Sequence, residues 1–159
     1  MEQPGVSDAA VESWERVVED MEATAAEYRD DGWEVVELHP GDVTALPPDH
    51  DRFGLDVLVG GDEFETVSEM VTDEGAAFDE FEVFRAVHAG HVFLVVAVED
   101  AAREQVVLVP AYYGIKDAEE TIEAVLEQGR FPIHIRPLTI EDVVTVEPSE
   151  PELLLPPTE

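Results

Sequence analysis

His88 and His91 flank the dipeptide Ala89-Gly90. If that dipeptide turns a hairpin, the two imidazoles stand opposite each other on one face of a two-stranded ribbon. So placed, they offer two nitrogen ligands to a divalent metal, with a nearby carboxylate as the third. No HExxH or other ligand-rich pattern accompanies them, and histidines beside a turn are also ordinary polar residues. A second group lies in VVLVPAYYGIKDA (Val106–Ala118), which has no acidic side chain before Asp117 and holds the chain's one lysine. Tyr112 and Tyr113 mark its corner and point to opposite sides if extended. Lys116 follows in what reads as the first turn of a helix. Tyrosine hydroxyls, an ammonium and free helical N–H groups can together receive an anion or a phosphate. The competing reading is a packed corner whose lysine pairs with surface acids. His134 and Arg136 alternate with Ile133 and Ile135, one polar strand face beside a buried one, and they complete the candidate ligand-binding set Tyr112, Tyr113, Lys116, His134, Arg136.

Other chemistries find less support. There is no cysteine, which removes disulfides and thiolate chemistry. The four serines read as helix or tail positions, and no GxSxG elbow occurs. Neither GxxxxGK[ST] nor GxGxxG is present, so no nucleotide cofactor is expected. His39, His50 and Asp51 share a Pro-rich loop where a His–Asp pair is a conceivable acid–base couple. With 39 Asp and Glu, adjacent carboxylates arise by chance and do not mark a glycosidase.

The elements that must position these residues follow from periodicity. A helix over residues 8–31 carries an apolar stripe that includes Trp14, Val17, Met21, Ala25 and Tyr28, with Gly32 as its stop. WEVVEL and Leu55–Val59 are strands, and HPGDVTALPPDHDR between them reads as a loop. Asp62 and Glu65 have capping-box spacing for a second helix. FEVFRAVHAGHVFLVVAVED is a hairpin, residues 81–88 and 91–98, and a third arm runs over residues 105–109. A third helix is expected from about Gly114 to Gln128, then short strands in RFPIHIR and VVTV. The predicted order is αββαβββαββ. It makes an α+β domain over residues 5–147, one mainly antiparallel sheet with about three helices on one face. Residues 148–159 form a Pro-rich acidic tail, expected to dock through Leu153–Leu155.

Eight Lys and Arg against those acids leave a net charge of −31. In dilute buffer such a coat repels itself, whereas near 1 M salt the Debye length is about 3 Å and the repulsion fades. That composition suits a salt-rich cytoplasm. It argues against nucleic-acid binding, which requires a basic patch. No apolar run of about 18 residues suggests a membrane span, and the first residues lack the basic and apolar regions of a signal peptide.

The segments YRDDGWEVVELHPGDVTAL, RFGLDVLV, VLVPAYYGIKDA and HIRPLTIEDVVTVEPSEPELL resemble an uncharacterised family of small acidic haloarchaeal proteins. The resemblance spans nearly the whole chain. It implies a salt-adapted α+β domain and no known activity. The functional expectation is a non-enzymatic domain that binds a protein partner or a small ligand, with a homodimer as one form. The alternative is an enzyme whose site lies near Tyr112–Lys116.

Overall fold

Residues Asp8–Asp30 form helix α1 in a computed structural model that describes residues 8–139 and 142–157. Val17, Met21 and Ala25 recur every fourth residue and are buried, so the helix lays one stripe on the protein and leaves its glutamates in solvent. Gly32 takes φ 88°, and the Trp33 N–H turns back to the Tyr28 carbonyl at 3.0 Å, which closes the helix.

Strands β1 (Glu34–Glu37), β2 (Asp42–Leu46) and β3 (Gly54–Leu58) lead to helix α2 (Gly61–Thr72). A meander follows, β4 (Glu80–His88), β5 (His91–Asp100) and β6 (Gln105–Gly114). Helix α3 (Glu119–Gln128), strands β7 (Ile133–Arg136) and β8 (Val144–Val146) and a 3-10 turn (Pro151–Leu154) complete the chain. One sheet has the order β1-β6-β5-β4 and the other β2-β3-β7-β8. Each contains one parallel pair, β1 on β6 and β3 on β7.

The fold is α+β with three helices, and the single sheet expected from the sequence is replaced by two mixed sheets. The helices also do not share a face. Helix α1 covers Phe93, Val95, Ala97, Val106 and Leu108 on one side of the first sheet. Val92, Leu94, Val96, Val107 and Val109 on its other side meet the second sheet, α2 and α3 in the main core. Burial on both faces explains why β5 is almost wholly apolar, since each fully buried Val or Leu contributes roughly 1.5–3 kcal/mol. The added strand is β2. Its prolines, Pro40, Pro47 and Pro48, all lie outside DVTAL, so they bound a strand instead of preventing one. The expected domain start at residue 5 and tail end at residues 158–159 lie outside the described residues.

The third arm, read from the sequence as residues 105–109, continues through Pro110 to Gly114, with Pro110 opposite Val95. The reason is directional. Leu108 uses its carbonyl toward β1, accepting from Leu38 N–H at 3.1 Å, so even-numbered β6 residues face away from β5. The N–H that Pro110 lacks would face the Leu38 carbonyl, so its loss ends the β1 ladder there and leaves the β5 ladder intact.

The C-terminal turn is tied to the body. Leu154 and Leu155 are buried, and Tyr113 Oη donates to the Leu154 carbonyl at 2.5 Å. Arg85 Nη1 donates to the carbonyls of Glu152, Leu153 and Leu155 at 3.1, 3.2 and 2.8 Å. Among the described residues no helix is long and apolar enough to cross a membrane.

Candidate functional site

The outer face of the second sheet carries a polar rung across all four strands. Thr44 pairs with Asp56, Asp56 with His134, and His134 with Thr145. Period-two alternation produces it: Leu55, Val57, Ile133 and Ile135 enter the core, which turns Asp56, His134 and Arg136 outward. Gly54 sets the approach of β3 to β7. It takes φ 118°, and a Cβ there would lie 2.1 Å from the Pro132 carbonyl oxygen. Arg52 is thereby held at the mouth of β3.

Asp56 is only 5% exposed, and a carboxylate so buried requires partners. Arg52 Nε donates to its Oδ1 at 3.0 Å. Arg136 Nε donates to Oδ1 and Oδ2 at 3.0 and 2.9 Å. Both guanidiniums therefore grip the same carboxylate by their Nε edges. Of the remaining nitrogens, Arg136 Nη1 donates to the Pro137 carbonyl; Arg136 Nη2 and both Nη atoms of Arg52 have no partner among the described residues. The side chains of Arg52 and Arg136 are 21% and 14% exposed. Two guanidiniums share one buried carboxylate, and Asp42 stands on the same face in register with Leu58 and Arg136. The Nη forks of arginine match the paired oxygens of carboxylates and phosphates.

His134 lies beside this pair and is 8% exposed. Its Nε2 is 2.8 Å from the Phe53 carbonyl, which can only accept, so Nε2 carries a proton. In the neutral ring its Nδ1 then accepts from Thr145 Oγ1, at 2.9 Å. Both nitrogens are engaged within the protein, so the ring braces β3 against β8 and offers no free base.

The candidate set from the sequence is not brought together. Tyr112 and Tyr113 face opposite sides of the first sheet. Tyr112 packs toward α1, its ring centroid 5.1 Å from Trp14 and 6.2 Å from Phe93. Tyr113 enters the main core, where burial pushes its phenol well above the usual tyrosine range, against the opposing pull of the Arg85 charge. Helix α3 begins at Glu119, not near Gly114, and no side chain caps it, so Lys116 stands exposed in the preceding turn. His134 and Arg136 belong to the other sheet. An anion site that unites all five is therefore excluded by topology, and only His134 and Arg136 remain neighbours.

His88 and His91 do pair across the turn. Among the described residues no cluster of three metal-ligating side chains occurs. His91 instead lies 6.0 Å from the Phe93 ring and 6.4 Å from Tyr112. In the Pro-rich loop, His39 Nδ1 is 2.8 Å from Glu63, while His50 Nδ1 accepts the Arg52 N–H, so the two histidines serve different local contacts. A groove of about 370 Å³ between α1 and β4 is lined in part by Glu12, Arg16, Asp20, His88 and Phe93, so its charges are of both signs.

Sequence reasoning missed Arg52 and Asp56. The signal was present: a lone carboxylate inside the apolar run LDVLV, four residues after an arginine. The site and fold thus define an α+β domain with a braced, largely buried arginine pair on the outer face of its second sheet. The chain belongs to a family of unknown function, DUF7529, whose model matches residues 3–156. No curated protein and no solved structure matches it.

Proposed function

We propose that this chain is a non-enzymatic, salt-adapted domain of a halophilic archaeal cytoplasm that binds a small oxyanion, a carboxylate or phosphate, at Arg52 and Arg136. The observation that carries the reading is the pair of guanidiniums fixed on one buried carboxylate through Nε, with both Nη of Arg52 and Nη2 of Arg136 making no bond among the described residues. Asp56 acts as the clamp: it pre-orders both side chains, which lowers the entropy lost on binding. Among the described residues the ring beside the arginines, His134, already bonds Phe53 and Thr145, which favours binding over turnover.

Salt adaptation rests on the acid coat. Five of the eight basic side chains are ion-paired, namely Arg29, Arg52, Arg103, Arg130 and Arg136. Most of the remaining carboxylates lie on the surface and repel one another unless salt screens them.

Calorimetric titration with inorganic phosphate and with succinate, in concentrated potassium chloride, tests the reading. The expected result is saturable one-to-one binding of at least one probe to the parent chain and its loss in Arg136→Gln. No heat from either probe, or equal binding by the variant, overturns it.

A further inference from the structure

Strand β4 is the edge of the first sheet and pairs only with β5 among the described residues. We propose that its free edge joins a second copy of this chain, related by a two-fold axis through Phe84, so that two four-stranded sheets become one of eight.

The turn decides which groups are available. Ala89 and Gly90 have φ 52° and 80°, a two-residue turn that makes His88 and His91 a hydrogen-bonded pair. Counting back along the ladder, Phe81, Val83, Arg85 and Val87 direct their N–H and C=O groups outward. No described backbone group bonds them. Natural edges of this kind are blunted by charges, prolines or bulges. Here nine residues run in unbroken register without a proline or a lysine. Phe84 and Val87 are each 45% exposed.

The acid coat stops within this strand, after Glu82. Asp and Glu make up 39 of 159 residues, yet none occurs from Val83 to His91. Burial explains such a gap in β5 but not in β4, whose residues from Phe84 to His88 are all exposed. The one cation, Arg85, is turned onto the carbonyls of the C-terminal turn and does not guard the edge.

A second copy fits because the strand is complementary to itself. An antiparallel two-fold centred on Phe84 sets Phe84 on Phe84, Val83 on Arg85, Glu82 on Ala86, Phe81 on Val87 and Glu80 on His88. The outward-facing residues are then those that pair by hydrogen bonds, about eight in all. Moving the register by one allowed step places Arg85 on Arg85 in one direction and Phe84 on Glu82 in the other. Closed two-fold pairing of this kind is self-limiting. Each copy carries −31, so association strengthens as salt screens the coats.

The chain has no cysteine, which permits a direct test. Phe84→Cys places two thiols across the axis at a non-hydrogen-bonded pair, within disulfide reach, whereas Ala86→Cys does not; mild oxidation in concentrated potassium chloride should cross-link the first about tenfold faster. Sedimentation of the unmodified chain should show a dimer, and Phe84→Lys should be monomeric with unchanged circular dichroism. A monomeric parent chain, equal cross-linking of the two cysteine variants, or a folded Phe84→Lys dimer overturns the proposal. Val83→Pro removes one outward N–H without touching the β5 ladder, and a dimer undiminished in this folded variant overturns it too.

Discussion

Replacing Asp56 by asparagine keeps the shape of the side chain and one acceptor oxygen but removes the charge between two guanidiniums. Removing one member of a buried ion pair costs about 3–5 kcal/mol, because the other charge is left uncompensated. Asp56 is nearly inaccessible, but its arginines keep 21% and 14% of their side-chain surface exposed. Water can then recover part of their solvation, so the lower end applies, about 3 kcal/mol. For a chain of this size each kcal/mol moves the melting temperature by about 2–4 °C. Asp56→Asn should therefore melt about 6–12 °C below the parent chain, read by circular dichroism in concentrated potassium chloride. Arg52→Gln should cost less, about 1–2 kcal/mol, since Arg136 still holds both carboxylate oxygens. Combining the two should be milder than the sum, because the second change removes one of the two orphaned charges. Asp49→Asn, at an exposed position, is the control and should stay within about 0.5 kcal/mol. A melting temperature for Asp56→Asn indistinguishable from that control refutes the reasoning.

Gly54→Ala should destabilise by about 3 kcal/mol or more, because φ 118° and a backbone oxygen 2.1 Å from the new Cβ force β3 away from β7; urea unfolding with a midpoint near that of the parent chain would contradict this. Tyr113 provides a pH dependence. Its folded phenol titrates above the usual tyrosine range, chiefly because it is buried, so its contribution is complete below about pH 10 and falls as the pH rises further, by about 1.4 kcal/mol per unit while only the unfolded chain ionises. Tyr113→Phe should lose that part of the alkaline decline in urea midpoints between pH 9 and pH 11, and an equally steep decline in the variant would show that the phenol is not the cause.

Local alternation made part of this architecture legible. IHIR announced a polar face carrying His134 and Arg136, and the stripe of Val17, Met21 and Ala25 announced α1. What could not be read was pairing between distant segments. DVTAL has a strand's alternation, but the prolines around it suggested a loop until β3 supplied a partner. Pro110 suggested a strand end because sequence does not reveal which way a missing N–H points. The Tyr112–Lys116 corner drew attention through its composition, yet consecutive strand residues must diverge, and α3 began a full turn later than Gly114 implied. Arg52 and Asp56 were separable from ordinary surface charge only by burial, a tertiary property.

The central proposal is that Arg52, through both Nη groups, and Arg136, through Nη2, bind an oxyanion. Nitrogen-detected NMR of the arginine side chains, during titration with inorganic phosphate at constant ionic strength, addresses it most directly. Two guanidinium signals, assigned by their absence in Arg52→Lys and Arg136→Lys, should move together and saturate, while those of Arg29 and Arg130, already paired with Glu37 and Glu147, stay still. Motionless signals at both positions, or a uniform drift of every arginine without saturation, would contradict the account.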